Sequence, residues 1–85
     1  MTSLTLHETL VVVLSTGGSP LDETVLGELP DATALWVRVE RERQAACLAA
    51  RFRHPDPPAQ FRDRVRRWGA SRGWTVAVAP FPAVR

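Results

Sequence analysis

Residues 41–54, RERQAACLAARFRH, decide the fold of this 85-residue chain because they fit two kinds of regular structure. As a helix, the segment has an apolar stripe that includes Leu48 and Phe52, and it is rich in good helix formers with no β-branched residue. As a strand, it alternates, with Leu48 and Phe52 on one face and Cys47 and Arg51 on the other. Intrinsic propensity favours the helix, so the choice depends on the neighbouring segments.

The segment before it, Thr33–Glu40 (TALWVRVE), alternates like a half-buried strand, with Leu35, Val37 and Val39 on one face and Trp36 on the other. This strand reaches Glu40 without a helix-capping residue, so a hairpin through residues 42 and 43 is the shortest connection. We therefore predict a strand over residues 44–52, paired with residues 34–39. A continuous helix over residues 41–53 is the alternative, and it would give a three-stranded α/β arrangement, βαβααβ.

The first quarter of the chain predicts a strand followed by a helix. The apolar run Leu10–Leu14 is typical of a buried central strand. A helix start follows, because Ser19 can cap it and Pro20 suits the first helical position. The apolar face of this predicted helix consists of Leu21, Val25, Leu26 and Leu29. Pro30 ends it after about two to three turns.

A second helix and a last strand are predicted near the C-terminus. Asp56 is followed by two prolines, a pattern that predicts a helix start with Asp56 as the cap. Phe61, Val65 and Trp68 then form an apolar stripe at helical spacing, which would face a sheet. Gly73 is a good helix stop, and residues 74–78 (WTVAV) predict the last strand.

The predicted order, β-α-β-β-α-β, is the ferredoxin-like layout, an α+β two-layer sandwich in which two helices cover one face of an antiparallel sheet. We predict a single small domain over residues 1–85, with residues 80–85 as a C-terminal tail. The other face of the sheet would carry Trp36, Arg38 and Cys47. An uncovered apolar sheet face usually docks a second copy or a partner, so these three residues are the predicted interface.

Charge divides the chain into an acidic part and a basic part. All 11 positive charges lie at or beyond Arg38 and every one is an arginine, whereas residues 1–37 contain only acidic charges. The chain has no Lys, Ile, Asn or Tyr, a bias typical of a GC-rich bacterial genome, which explains the arginines without selection for guanidinium chemistry. The acidic part can pair with these arginines within one chain or across two copies.

Arginines near the second predicted helix form a candidate basic patch, consisting of Arg51, Arg53, Arg62, Arg66 and Arg67. Such a patch is able to contact phosphates, so nucleic-acid binding is the second functional hypothesis. The predicted sheet lacks the Lys/Arg-Gly-Phe type of aromatic signature of RNA-binding domains. A solvated basic face is therefore the preferred interpretation.

Length and composition limit the class of protein. A domain of this size buries only about 60–65% of its unfolded surface, so dimerisation is a reasonable source of further stability. Cys47 is the only cysteine, which excludes an internal disulfide and a cysteine-based zinc site, and we predict neither metal nor cofactor. The apolar runs are too short for a membrane span and the N-terminus has no positive region, so we expect a cytoplasmic protein.

The loop Thr16-Gly17-Gly18-Ser19 joins a predicted strand to a helix start, where free backbone N–H groups are able to hold an anion. It lacks the lysine and the length of a Walker loop, so a tight turn with a helix cap is the simpler interpretation. The element order, with a Gly-rich loop before Leu21, is similar to that of ACT-type regulatory domains. That resemblance implies a small effector bound beside the loop after the first strand.

His7 and His54 are the only histidines, and His54 with the nearby Asp56 suggests a role in acid–base catalysis. The sequence places no Ser or Cys nucleophile beside either histidine, and His54 before Pro55 is expected in a loop. We therefore assign no catalytic residue.

A small enzyme with a cleft between two subunits is the third hypothesis. The leading hypothesis is a non-enzymatic accessory or regulatory domain that acts through sheet-mediated homodimerisation or a protein partner.

Overall fold

The chain folds into a four-stranded antiparallel sheet with one face covered by a helix. The computed structural model describes residues 6–16, 21–29 and 31–80. Its elements are β1 (His7–Thr16), a 3₁₀ helix (Glu23–Glu28), β2 (Thr33–Arg41), β3 (Ala45–His54), α1 (Pro58–Ser71) and β4 (Thr75–Pro80). The strand order is β2-β3-β1-β4. This is a small α+β fold whose described part contains one α-helix.

The ambiguous segment is a strand, as predicted, and the three-stranded alternative is wrong. β3 pairs with β1 on one side and with β2 on the other, so both of its backbone edges are hydrogen-bonded. Leu48, Ala50 and Phe52 are all buried on the face that α1 covers. Pairing on both sides and this burial outweigh the helix propensity of the segment, which is worth only tenths of a kcal/mol per residue.

The apolar run in β1 is central in the sheet, as predicted, but only one of its faces is buried. Val11 and Val13 have no exposed surface, whereas Leu14 is exposed on the opposite face. β1 therefore alternates between a core side and an open side, although its sequence is a continuous apolar run.

The first predicted helix is shorter than its sequence pattern suggests. The structure has a six-residue 3₁₀ helix capped by Asp22, whose carboxylate accepts a hydrogen bond from the Thr24 backbone N–H at 2.9 Å. The predicted cap Ser19 and Pro20 lie outside the described residues. Leu26 is buried as predicted, as are the flanking Leu21 and Leu29, while Val25 is half-buried. The segment contains three poor helix formers, Thr24, Val25 and Gly27, which disfavours a longer α-helix. A short 3₁₀ helix is enough to bury the leucines.

The second predicted helix is α1, and its apolar stripe packs as expected. Phe61 and Val65 are fully buried and Trp68 is half-buried. The predicted cap is wrong, because Pro57 occupies the N-cap position without a side-chain cap and the Asp56 carboxylate pairs with Arg64 at 3.0 Å.

The C-terminal boundary of α1 agrees with the prediction. The helix ends at Ser71, and Gly73 follows with a φ of 76°, which a residue without a side chain adopts freely. Pro80, the first residue of the predicted tail, is the last residue of β4, and the rest of that tail lies outside the described residues.

Candidate functional site

The face of the sheet opposite α1 is the candidate site, and we call it the open face. Strand residues alternate between the two faces, and the core side is buried against α1 and the 3₁₀ helix. No described helix or strand covers the other side. The open face is formed by Glu8, Leu10, Val12, Leu14 and Thr16 of β1, Ala45, Cys47, Ala49, Arg51 and Arg53 of β3, Trp36, Arg38 and Glu40 of β2, and Thr75, Ala77 and Ala79 of β4.

The centre of the open face is apolar. Strand pairing places Val12 beside Ala49 on one side and Ala77 on the other, with Leu10 and Leu14 two residues away along the same strand. Leu14 is 46% exposed, although a leucine of this size normally packs inside a domain. The open face therefore presents contiguous apolar surface to solvent.

The three predicted interface residues lie together on this face. Trp36, Arg38 and Cys47 all point away from α1, as the strand registers require. Trp36 is 48% exposed, so it does not pack in the core of its own domain. Leu35 was predicted on the same side as Val37, but a register shift between residues 34 and 36 leaves it exposed at the sheet edge.

Charged groups on the open face pair with one another. Arg51 binds Glu8 through its Nε atom, 2.5 Å from a carboxylate oxygen, and Arg53 lies 3.5 Å from the same carboxylate. The hydrogen bond from Arg51 is the main reason that the pKa of Glu8 is lowered. At the β2 edge, Arg38 pairs with Glu40 at 2.7 Å. One acidic residue from the first third of the chain thus pairs with two arginines from the second half.

The candidate basic patch is divided between the two layers of the fold. Arg51 and Arg53 lie on the open face, whereas three other arginines lie on the exposed side of α1, namely Arg62, Arg66 and Arg67. Arg62 is 3.7 Å from Asp63. The five arginines therefore form two groups rather than one continuous surface.

His54 lies at the end of β3, not in a loop, and it is 1% exposed. Its Nδ1 atom is 2.9 Å from the backbone oxygen of Asp56, which only accepts hydrogen bonds, so Nδ1 carries the proton. Nε2 then accepts from the Thr9 hydroxyl at 2.7 Å. The ring stacks on Phe61 with centroids 3.7 Å apart. Burial is the main cause of the lowered pKa of His54.

Thr9, His54 and the Asp56 carbonyl follow the order of a nucleophile, a base and an orienting group. However, Thr9 and His54 are each 1% exposed, so a substrate cannot reach them in this conformation. The Asp56 carboxylate, which the acid–base hypothesis would require, pairs with Arg64 instead. This arrangement satisfies the buried polar groups, while burial favours the neutral imidazole.

Only one residue of the predicted anion-binding loop lies within the described part of the chain. Thr16 is exposed at the end of β1, beside Arg43 and Gln44 of the β2–β3 hairpin. Gly17, Gly18 and Ser19 lie outside the described residues.

Sequence reasoning missed two side-chain clusters. One is the Thr9–His54 hydrogen bond, and the other joins the 3₁₀ helix to α1, because Glu28 accepts from Trp68 Nε1 at 2.8 Å and pairs with Arg72. Both link residues at least 40 positions apart. No local sequence signal reports contacts at such a separation.

Across residues 6–16, 21–29 and 31–80, no group of His, Cys, Asp or Glu residues is placed to hold a metal ion. In the same part of the chain, no helix has the length and apolar character needed to cross a membrane.

No family model and no curated protein matches the sequence. Among solved structures, the chain is similar to the de novo designed protein Foldit4, with a TM-score of 0.56 and 10% identity over 94% of this chain and 100% of that one. It also aligns with a hydantoinase/carbamoylase family amidase from Burkholderia ambifaria, with a TM-score of 0.47 and 20% identity, covering 91% of this chain and 27% of the amidase. The likeness to the designed protein shows that this chain shares a small α+β fold, and it shows the fold alone.

Proposed function

We propose that this chain is a non-enzymatic accessory domain that acts by self-association, with the open faces of two copies packed against each other. The observation that carries the proposal is the apolar surface of the open face, where Leu14 in the central strand β1 and Trp36 in the edge strand β2 are each nearly half exposed. Contiguous apolar surface of this kind on a small domain is typical of an interaction site.

We interpret the fold as ferredoxin-like. The sheet order β2-β3-β1-β4 and the position of α1 between β3 and β4 support this interpretation. The 3₁₀ helix stands where the layout has its first helix. A regulatory role with a small effector beside the loop after β1 belongs to the same interpretation.

The size of the open face supports a second copy as its occupant. Strands of 6 to 10 residues, at about 3.4 Å per residue and about 4.8 Å apart, give a face of about 570 Å² per subunit. Two such faces would bury about 1,100 Å² in total, which is just above the lower limit of about 1,000 Å² for a specific interface. The expected dimer is therefore of moderate affinity.

The charges on the open face also suit a second copy. Glu8 is already paired with Arg51, and Arg38 with Glu40, so these four side chains would enter the interface as charge pairs. These pairs lie towards the ends and the β2 edge of the face, around the apolar centre. An apolar centre with a polar rim is the usual anatomy of a protein interface.

Size-exclusion chromatography with light scattering tests the proposal, with alanine-to-arginine variants as a matched pair. Ala77 lies on the open face and Ala70 on the exposed side of α1. The wild type should have about twice the subunit mass of 9.4 kDa, Ala77→Arg should be monomeric, and Ala70→Arg should remain dimeric. Trp36→Glu should also lose the dimer while the helix signal in circular dichroism is kept.

A wild-type protein that is monomeric at high concentration would overturn the proposal. The same experiment at low and high salt separates the nucleic-acid hypothesis from self-association. A nucleic-acid binder would carry excess absorbance at 260 nm that high salt removes.

A further inference from the structure

We infer that the two copies pack about a twofold axis that runs parallel to the strands, between β1 and β3. This inference rests on the proposed function and specifies how the two open faces meet. It follows from the sizes of the side chains, which alternate from strand to strand across the open face.

The open face is corrugated. β1 carries large apolar side chains, Leu10, Val12 and Leu14, whereas β3 carries the small Ala49 and Cys47 beside Val12 and Leu14 and the long Arg51 beside Leu10. The two outer strands repeat the alternation. β2 presents Trp36, Arg38 and Glu40, and β4 presents Thr75, Ala77 and Ala79. In the order β2-β3-β1-β4, the face is therefore a ridge, a groove, a ridge and a groove.

An axis parallel to the strands fits this pattern because it exchanges β1 with β3 and β2 with β4. At the centre of the face, each ridge then lies opposite a groove of the other copy, whereas Leu10 would lie opposite the long Arg51 side chain. Val12 would lie opposite Ala49, Leu14 opposite Cys47, and Trp36 opposite Ala79. Stacked sheets pack about 10 Å apart with aligned strands, so large side chains have to interdigitate with small ones.

An axis across the strands would not allow this fit. Each strand would lie opposite the equivalent strand of the other copy, so that Val12 would meet Val12 and Ala49 would meet Ala49. The ridges would then hold the sheets apart and leave voids between the grooves, which protein interfaces avoid because they pack as densely as interiors.

Charge at one end of the open face leads to the same axis. Glu8 and Arg53 are neighbours in the register of β1 and β3. Exchange of these strands places Glu8 of each copy opposite Arg53 of the other. Because the two contacts are symmetric, each Glu8 carboxylate would then face Arg53 of the other copy as well as the arginines of its own copy at the rim.

Two substitutions at the centre of the face, one that enlarges a small side chain and one that shortens a large one, test the inference. Ala49→Leu fills the groove, and Val12→Ala removes the ridge. Ala49→Leu should weaken its own homodimer at least about tenfold, because two leucines meet two valines. A mixture of Ala49→Leu chains with Val12→Ala chains should form the heterodimer in preference to either homodimer. In that heterodimer, the introduced leucine meets the introduced alanine at one contact, and the other contact keeps the wild-type pair of Val12 and Ala49.

Native mass spectrometry of the mixture, with one variant isotopically labelled, measures the three dimers separately. Thermal melts of each variant at low concentration control for effects within one chain, since Val12 and Ala49 are also neighbours in the same sheet. An Ala49→Leu homodimer as tight as the wild type, or a statistical mixture of dimers, would overturn the inferred axis while self-association stands. A monomeric wild type would overturn the proposed function itself.

Discussion

Substitution of Gly69 by alanine should destabilise the fold, although alanine is the better helix former. Gly69 is buried in α1 where the helix packs against β4, and the Trp74 backbone N–H donates to the Gly69 oxygen at 2.9 Å. A Cβ atom at Gly69 would clash with Val76 Cγ2 and come within 3.4 Å of Val76 Cβ. Normal carbon–carbon contacts are about 3.5–4.0 Å, so the helix or the strand has to move.

The magnitude follows from two opposing effects. Overpacking generally costs about 1–3 kcal/mol, and the cost here should be about 2–3 kcal/mol because the β-branched Val76 side chain is stiff at χ1 and gives little relief. Alanine regains about 1 kcal/mol of helix propensity over glycine. The net loss should be about 1–2 kcal/mol, which lowers the Tm of a domain of this size by about 5–15 °C.

Thermal melts followed by circular dichroism measure this loss, with Gly27→Ala as the matched control. An added Cβ at Gly27 meets no atom within 4 Å, so that variant should be neutral or stabilised by up to about 1 kcal/mol. Val76→Ala should remove the clash, so that Gly69→Ala becomes neutral or stabilising in that background. A Gly69→Ala single variant that melts at or above the wild type would refute the reasoning.

Three further predictions concern the buried core and its polar contacts. Phe61→Ala should cost about 3–5 kcal/mol, because Phe61 is fully buried against His54, and an unchanged Tm would contradict this packing. Because the pKa of His54 is lowered in the folded protein, the unfolded chain binds a proton on this histidine at higher pH than the folded one does. The free energy of unfolding should therefore be at its full value above about pH 6.5 and fall as the pH drops below it. His54→Gln should flatten that part of a plot of Tm against pH. Glu28→Ala should cost at most about 1 kcal/mol at low salt and less at high salt, with Glu23→Ala as control.

Local patterns predicted which face of an element is apolar better than they predicted the helix caps or the contacts between elements. The stripe containing Phe61 and Val65, the stop at Gly73 and the alternation of β2 are properties of short segments, and each appears in the structure. The position of Trp36 on an uncovered face followed from the same alternation, because side chains of a strand point to opposite faces in turn.

Local sequence patterns are enough to predict strands with one apolar face, a helix that covers that face and an acidic part that matches a basic one. Only the tertiary structure decided that residues 45–54 are a strand, because pairing on both edges outweighs a weak local preference for helix. It also decided that His54 is buried against Thr9, 45 residues away. The alternation of ridges and grooves exists only once the order β2-β3-β1-β4 is set, since it is a relation between strands that are distant in the chain.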